Sequence, residues 1–254
     1  MTAATAGSDD GFVQGLAAVS EVEGWMTEAQ ARRLWDSAAA VDPSGTIVEI
    51  GSFRGRSSIV LARAAAAGVE IIAIDPHAGT DRGPNEVRGF EREAEVDHEV
   101  FHANLERAGV GERVRHVRAF SREALGEVEG QIDLLYIDGA HRYGPAVADI
   151  RVWGGRVRPG GTMLIHDTFS SVGVTLAIVR HLVFGPSFRY LGRAGSLSEY
   201  RREPVGGRPR VANSLRQLAQ VPWFARNVAV KVLLAARLRP LTRVLGHQSE
   251  TVPY

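Results

Sequence analysis

Two apolar runs in the chain end in residues whose side chains bind metal ions or move protons. The runs span residues 132–137 and 163–165. The polar residues that follow them are Asp138, His141, His166 and Asp167. Carboxylates are preferred ligands of Mg²⁺, and an imidazole with a pKa of about 6.5 accepts protons near neutral pH. These residue types predict chemistry at the strand ends in which a metal ion is bound or a proton is moved.

Both apolar runs have the length and composition of buried strands in a parallel sheet, where ligands bind just beyond the carboxyl ends of the strands. We predict five such strands, over residues 46–50, 70–75, 113–118, 131–138 and 161–166. Helical patterns alternate with them over residues 57–63, 84–109, 143–153 and 172–184, and an antiparallel pair follows within 188–200. The alternation predicts an α/β, Rossmann-like fold, with a central, mostly parallel sheet and helices on both faces.

The chain divides into three predicted parts around this fold. Residues 1–44 form a helical lead-in with a helix start signal at Thr27, and residues 45–200 form the ligand-binding α/β domain. Residues 201–254 begin with a linker at 201–210 and continue as an apolar, basic helical extension. Because such an apolar stripe usually packs on its own domain or on a second subunit, we predict a homodimer.

Composition argues against several classes of protein. The net charge of the 254-residue chain is +1 at pH 7, whereas a nucleic-acid partner would require a strongly basic face. The chain has no cysteine, which excludes a disulfide framework, an iron–sulfur cluster and a thiolate zinc site. We expect a cytoplasmic protein without membrane association, because the sequence shows no signal-peptide pattern and no run of about 18 apolar residues.

The segment Glu49–Ser57 joins the first predicted strand to the first helix through two glycines, Gly51 and Gly55. Glycine permits a tight turn and close approach of the backbone to a ligand. The segment is not G-x-G-x-x-G and lacks the lysine of a P-loop, which disfavours a dinucleotide or a nucleoside triphosphate. An acid at Glu49 suits a cationic ligand, such as the amino and sulfonium groups of S-adenosylmethionine. Asp75, at the end of the second strand, is placed to accept hydrogen bonds from ribose hydroxyls.

Three motifs resemble those of a known family: Glu49-x-Gly-x-x-x-Gly-x-Ser57, Asp138-Gly-Ala-His141 and Arg158-Pro-Gly-Gly-x-x-x-x-His-Asp167. The first resembles class I S-adenosylmethionine-dependent methyltransferases, in particular the metal-dependent O-methyltransferases. The other two are most similar to sugar O-methyltransferases of the macrocin and mycinamicin kind. The resemblance covers residues 46–170. It implies methylation of a sugar hydroxyl, on a mannose oligosaccharide or another glycan precursor.

The resemblance also implies a role for each matching residue. His141 is the implied general base. The residues implied to contact S-adenosylmethionine are Glu49, Gly51, Ser52, Gly55, Ser57, Asp75, Ala119, Phe120, Ser121 and Asp138. Asp138 and Asp167 are the implied ligands of Mg²⁺, with His166 as a third predicted ligand. Because His166 stands where the family usually has a carboxylate, either it is not a ligand or the site accepts Mn²⁺.

Two alternative functions stay open. An O-methyltransferase acting on a small phenol or catechol is one, although aromatic residues are only 7% of the chain and His141 replaces the usual lysine base. A cofactor-binding relative without catalytic activity is the other, although the predicted catalytic set is intact. The side chains predicted to contact the substrate are His77, Asp81, Arg82, Arg142 and Tyr143.

Overall fold

A computed structural model of the protein describes residues 3–79 and 89–247. Its helices are α1 (Ala3–Ala18), α2 (Glu28–Ala39), α3 (Arg56–Ala64), α4 (Glu91–Arg107), α5 (Tyr143–Ala148), α6 (Val172–Ile178), α7 (Gly207–Leu218), α8 (Val221–Ala235) and α9 (Arg239–Thr242). Its strands are β1 (Thr46–Ile50), β2 (Glu70–Ile74), β3 (Val114–Val117), β4 (Ile132–Ile137), β5 (Val157–Ile165), β6 (Phe188–Ala194) and β7 (Leu197–Arg202). Helices α5 and α6 continue as π-helical segments over Asp149–Trp153 and Val179–Val183.

The strands form a seven-stranded sheet in the order β3-β2-β1-β4-β5-β7-β6. Strands β1 to β5 are parallel, and β7 is antiparallel to both of its neighbours. The predicted α/β fold with a mostly parallel sheet and an added antiparallel pair is therefore confirmed. The chain runs from β1 outward to β3 and then returns to β4 on the other side of β1. Such a switch point opens a crevice at the carboxyl ends of the two central strands.

Helices cover both faces of the sheet, because the strands are apolar on both faces. In β1, Ile47 belongs to one hydrophobic core, whereas Val48 and Ile50 belong to the other, as the two-residue period of a strand requires. The first core contains apolar residues of α1 to α4, and the second contains those of α5 and α6. Strands buried in this way hold the residues at their carboxyl ends in fixed positions.

Helix α2 starts at the signal that the sequence indicates. Thr27 Oγ1 accepts the N–H of Gln30 at 3.3 Å, and Gln30 Oε1 accepts the N–H of Thr27 at 2.8 Å. A cap of this kind stabilises a helix by about 1 kcal/mol. Gln30 Nε2 also donates to Ser196 Oγ at 3.2 Å, so the cap joins α2 to the turn between β6 and β7.

Strand β5 is longer than the sequence predicts, since it begins at Val157 rather than at residue 161. Residues 159–161 form an irregularity within the strand, between the pairs Ile132–Val157 and Leu134–Thr162. Gly160 has φ of 78°, a conformation in which glycine has no steric penalty. The strand therefore bulges at the glycines and then continues to the predicted end.

The C-terminal extension packs on the edge strand of the sheet. The prediction of a linker over residues 201–210 is wrong, because β7 extends to Arg202 and α7 begins at Gly207. The side chain of Asn213 accepts the N–H of Tyr190 at 2.8 Å and donates to Phe188 O at 3.1 Å. These bonds satisfy backbone groups that an edge strand leaves unpaired, and they fix α7 against β6. In the described part of the chain, none of the helices combines the length and the apolar character needed to span a membrane.

Candidate active site

The carboxyl ends of β4 and β5 bring three of the predicted site residues together. One ligand atom from each of Asp138, His141 and Asp167 lies within 4.8 Å of the other two. His141 Nε2 lies 2.7 Å from Asp167 Oδ2. The side chain of His141 is 42% exposed and that of Asp167 is 14% exposed, so the cluster opens toward solvent at the imidazole.

His166 lies beneath the two carboxylates and is 4% exposed. Its Nδ1 is 3.1 Å from Asp138 Oδ1 and 3.6 Å from Asp167 Oδ2, yet neither ring nitrogen makes a hydrogen bond of good geometry. Burial lowers the pKa of His166, but the two carboxylates outweigh burial and hold that pKa well above its ordinary value. Burial raises the pKa of Asp167, but the adjacent imidazoles of His141 and His166 outweigh burial and hold it well below its usual range.

Tyr136 orients Asp138 and is a site residue that the sequence analysis missed. Its hydroxyl donates to Asp138 Oδ2 at 2.8 Å, and the residue is 1% exposed. Burial and the nearby carboxylates of Asp138 and Glu49 raise the pKa of Tyr136 well above its ordinary value, so the phenol remains a donor. The signal in the sequence was that Tyr136 and Asp138 are two residues apart, which places both side chains on the same face of the chain as it leaves β4.

Asp167 lies in a turn with unusual backbone conformation. Asp167 and Phe169 both have φ of 54°, in the left-handed region that costs a non-glycine residue about 1–3 kcal/mol. The N–H and the hydroxyl of Thr168 both donate to Ser196 O, at 2.9 and 2.7 Å. The turn between β6 and β7 therefore holds the backbone that presents Asp167.

Helix α8 holds the other side of the same turn. Asn227 Nδ2 donates to Phe169 O at 3.1 Å, and Lys231 Nζ donates to Ser170 O at 3.0 Å. Burial lowers the pKa of Lys231, while the charge of Asp167 opposes that shift. Lys231 is the only lysine of the chain, which was the available signal for its special position. The C-terminal extension thus contributes two side chains to the architecture of the site.

The donor set at these strand ends fits a divalent cation. Asp138 and Asp167 supply the oxygen ligands that Mg²⁺ prefers. The imidazoles of His141 and His166 suit a transition metal such as Mn²⁺ better than they suit Mg²⁺. The buried Nδ1 of His166, without a well-formed hydrogen bond between two carboxylates, is the observation that supports a ligand role for this nitrogen.

The glycine loop, residues 51–55, packs tightly against the end of β4. Gly51 has φ of 86°, and a Cβ at this position would lie 2.1 Å from Asp138 O. Its N–H donates to Ile74 O at 2.9 Å. Gly55, also at φ of 86°, precedes the first turn of α3. Glycine at these two positions lets β1, β2 and β4 end close together around the crevice.

Asp75 holds the glycine loop from below. Its Oδ2 accepts the N–H groups of Ser52 and Phe53, both at 2.9 Å, and its Oδ1 accepts the N–H of His77 at 2.9 Å. The side chain is 16% exposed, so a carboxylate surface remains for the predicted ribose hydroxyls. His77 is 7% exposed and its Nε2 lies 2.8 Å from Phe53 O, which places it under the loop. Its predicted contact with substrate stays a prediction.

Glu49 is fully buried at the end of β1, with its two oxygens bound by the hydroxyls of Ser57 and Ser58. Burial raises the pKa of Glu49 to about 7, and the two hydrogen bonds lower it by less. The arrangement ties the strand end to the first turn of α3. Direct contacts of Glu49 and Ser57 with a ligand remain predictions, since both side chains already have partners inside the protein.

The loop after β3 contacts a buried acid that the sequence analysis missed. Ser121 Oγ donates to Asp149 Oδ1 at 2.5 Å, and Trp153 Nε1 donates to Ser121 O at 3.2 Å. Burial raises the pKa of Asp149 to about 6, against the effect of the Ser121 hydrogen bond. Asp149 starts the π-helical segment after α5, and such segments often occur at functional sites. Ala119 and Phe120 lie in the same loop, where the adenine is predicted to bind.

The predicted substrate contacts differ in how they are placed. Arg142 and Tyr143 are exposed directly after His141, and Tyr143 is 43% exposed. Asp81 and Arg82 lie outside the residues that the structure describes. Arg142 and Tyr143 therefore lie at the open side of the carboxylate cluster, whereas His77 is buried under the glycine loop.

Comparison with known proteins agrees with this arrangement. Residues 48–168 match a family model described as a methyltransferase domain. This part of the chain is therefore similar to a methyltransferase domain. It contains the glycine loop, Asp75, the loop after β3 and both acidic strand ends. An uncharacterized protein of Sinorhizobium fredii, y4gI, is 34% identical over 126 residues, which are 48% of this chain but only 13% of that protein.

Solved structures show a similar fold over about three quarters of the chain. Cofactor-bound Rv0187 from MTB has a TM-score of 0.54 at 22% identity, covering 76% of this chain and 89% of that chain. The O-methyltransferase from Bacillus cereus in complex with SAH has a TM-score of 0.53 at 18% identity, covering 78% and 91%. The predicted Rossmann-like methyltransferase fold is confirmed.

Proposed function

We propose that the protein is an S-adenosylmethionine-dependent O-methyltransferase that requires a divalent metal and methylates a sugar hydroxyl. One observation carries the proposal. Asp138, His141 and Asp167 converge at the carboxyl ends of β4 and β5, beside the glycine loop at the switch point of a methyltransferase domain. O-methylation of an unactivated hydroxyl needs metal ligands and a proton acceptor beside the methyl donor.

The cofactor would lie across the ends of β1, β2 and β3. Asp75 has remaining acceptor capacity toward the ribose, and the Ser121 loop lies where the adenine would stack. Glu49 faces the methionine part from beneath the loop, where its carboxylate would counter the positive charge of the amino and sulfonium groups. The parts of the cofactor would thus lie at the strand ends rather than on a pyrophosphate-binding loop, which agrees with the absence of G-x-G-x-x-G.

Asp138 and Asp167, with His166 between them, would hold Mg²⁺ or Mn²⁺. When bound, the cation acts as a Lewis acid that stabilises negative charge on the acceptor oxygen. Tyr136 fixes the Asp138 carboxylate, and the turn held by α8 fixes the Asp167 carboxylate. Rigid ligands of this kind position the acceptor hydroxyl, and alignment of the two reactants supplies about 7–11 kcal/mol of rate acceleration in favourable cases.

His141 would accept the proton of the acceptor hydroxyl. The acceptor oxygen forms a bond to the methyl carbon, the carbon–sulfur bond breaks to leave S-adenosylhomocysteine, and the proton goes to the imidazole and then to solvent. Asp167, 2.7 Å from Nε2, orients the imidazole and stabilises its protonated form. The 42% exposure of the His141 side chain gives an acceptor access to the site.

The sugar acceptor is supported by the motifs and by the open side of the site. Tyr143, with its exposed ring, and Arg142 follow the base directly, and both side-chain types are suited to contacts with the faces and hydroxyls of a saccharide. A mannose oligosaccharide is the acceptor that we would test first.

The deciding experiment is a methyl-transfer screen with labelled S-adenosylmethionine on mannosides, rhamnosides and catechols. Each acceptor is tested after chelation and after addition of Mg²⁺ or Mn²⁺. Metal-restored transfer to a saccharide is the expected result. Transfer only to catechols would replace the sugar assignment, and cofactor binding without transfer to any acceptor would favour a binding protein without catalytic activity.

The surface of the C-terminal helices supports a proposal for the assembly state. Several of their apolar side chains are exposed: Val211, Leu215, Val221, Val232 and Leu241. We infer that a second copy of the chain covers part of this surface in a homodimer. Light scattering coupled to size exclusion tests this, and a monomer at micromolar concentration would contradict it. The cytoplasmic location stays a prediction.

A further inference from the structure

A second group of potential metal ligands lies outside the carboxylate site, between α4 and β3. It consists of His98 and His102, one turn apart on α4, and His116 on β3. One ligand nitrogen of each histidine lies within 4.8 Å of the other two. The ring centroids are separated by 4.8, 5.2 and 5.3 Å. Three imidazoles from two secondary-structure elements therefore meet at one point.

The spacing of the two helical histidines is that of ligands on one metal ion. His98 Nε2 and His102 Nε2 are 3.2 Å apart. Two nitrogens bound to tetrahedral Zn²⁺ at about 2.0–2.1 Å are about 3.3 Å apart. The separation on α4 thus needs little adjustment for both nitrogens to bind the same cation.

His116 supplies a second, independent observation. Its Nε2 is buried and has no hydrogen-bond partner. A buried polar atom without a partner is uncommon in native proteins, and a bound ion that contacts it is one of its ordinary explanations. A cation bound to the three imidazoles would satisfy this nitrogen.

The protonation state of the cluster suits metal binding. Burial and the neighbouring imidazoles together lower the pKa of His116 to about 3. Burial and the positive charge of Arg118 lower the pKa of His98, whereas Glu95 opposes that shift. Neutral imidazole is the form that ligates metals, so little proton release is required near neutral pH.

The surroundings provide a supporting carboxylate and an entry path. Glu95 Oε1 lies 3.7 Å from His98 Nδ1, which is beyond hydrogen-bond distance but close enough for its charge to favour an imidazole bound through Nε2. Arg118 pairs with Glu95 and lies 3.4 Å from the same Nδ1, so it is the nearest competing charge. His102 is exposed, which opens the cluster to solvent. His77 is close by, but its Nε2 is already engaged by Phe53 O.

We propose that His98, His102 and His116 bind a transition-metal ion of the Zn²⁺ type, separately from the cation at Asp138 and Asp167. Three nitrogen ligands without a carboxylate disfavour Mg²⁺ and favour Zn²⁺, Ni²⁺ or Cu²⁺. The fourth position faces solvent at His102 and would hold water. The bound ion would join α4 to β3 at the edge of the sheet.

The test is a titration of tag-free, chelator-treated protein with Zn²⁺, and with Co²⁺ as a spectroscopic probe. The Asp138→Asn/Asp167→Asn double variant removes the other carboxylate ligands. It should still bind one Zn²⁺ and give visible Co²⁺ bands of tetrahedral intensity. Added to this double variant, His102→Gln should weaken Zn²⁺ binding by more than about 100-fold, because loss of an outer-shell partner alone costs about 10- to 100-fold.

His102→Gln changes an exposed side chain, so the variant is expected to fold, and its melting temperature without metal should match that of wild type. Zn²⁺ should raise the melting temperature of the double variant but not that of the double variant carrying His102→Gln, since a ligand bound only to the folded state stabilises it. His181→Gln, outside the cluster, is the control in the same background and should behave as the double variant. Equal Zn²⁺ affinity of the double variant with and without His102→Gln would overturn the proposal, as would absence of Zn²⁺ binding by the double variant.

Discussion

Replacement of Glu49 by glutamine should remove a pH dependence from the stability of this protein. Glu49 is fully buried, and its two oxygens accept hydrogen bonds from Ser57 and Ser58. Burial raises its pKa from 4.5 to about 7. Glu49→Gln removes the titrating proton and keeps the shape, because the amide oxygen can accept from one serine and the amide nitrogen can donate to the other.

The direction in which stability changes with pH depends on whether the folded or the unfolded state loses the Glu49 proton first. Below pH 4.5 the carboxyl is protonated in both states; between 4.5 and about 7 the unfolded chain ionises while the folded protein keeps its proton. The free energy of unfolding therefore falls as pH rises through this interval and is level above it. The difference between a pKa of 4.5 in the unfolded chain and about 7 in the folded protein corresponds to a loss of about 3 kcal/mol in the free energy of unfolding.

Urea unfolding from about pH 5 to about pH 8 measures the effect. The Glu49→Gln variant should resemble wild type near the lower pH and exceed it by about 3 kcal/mol near the upper one. Glu99→Gln, at an exposed position of α4, is the matched control and should change little at either pH. A difference between Glu49→Gln and wild type that is constant with pH would refute the reasoning.

The proposed role of the same carboxyl in cofactor binding gives a second prediction. A buried acid that destabilises the protein above neutral pH has a functional reason if its negative charge attracts a cationic ligand. The affinity of wild type for S-adenosylmethionine should therefore increase as pH rises toward 8, whereas that of Glu49→Gln should not. Isothermal titration at several pH values tests this, and parallel pH profiles for the two proteins would separate Glu49 from the cofactor.

Three further substitutions test the site. His141→Ala should lower kcat by about 10²- to 10⁴-fold, as loss of a general base does, with an unchanged dissociation constant for S-adenosylmethionine; near-normal turnover would remove it as the base. Asp138→Asn should raise the Mg²⁺ or Mn²⁺ concentration needed for half-maximal activity by at least about tenfold, and an unchanged metal titration would contradict the ligand assignment. Lys231→Met should lower the free energy of unfolding by about 1–2 kcal/mol through loss of the bond to Ser170 O, and should lower kcat with little change in cofactor affinity; wild-type kcat would show that α8 does not position Asp167.

The strand ends could be predicted from the sequence because their signal is local. An apolar run followed at once by Asp138, or by His166 and Asp167, contains both the strand and the group that it presents. The capping box at Thr27 is local in the same sense, since both partners lie within four residues. Topology then brought the two strand ends together, because parallel strands share one carboxyl edge.

The histidine cluster could not be predicted in this way. His98 and His102 are separated in the sequence by the spacing of one helical turn, but His116 joins them only because α4 lies against β3 in one particular register. Asp149 was missed for a related reason, because its partner Ser121 is 28 residues away. The partners of Glu49, Asp75 and His77 are also set by packing, so sequence reasoning identified these residues without showing that protein groups already occupy much of their bonding capacity.

The three predicted parts of the chain are connected at the site itself. Gln30 of the lead-in bonds Ser196, whose carbonyl accepts two bonds from Thr168 in the turn that carries Asp167. From the other direction, Asn227 and Lys231 of the extension bond the carbonyls of that same turn. A left-handed backbone at a non-glycine residue persists only where surrounding contacts determine it. The central domain supplies the acidic side chain, but contacts from both flanking parts hold its position, so their loss should affect the geometry of the site before it affects the sheet.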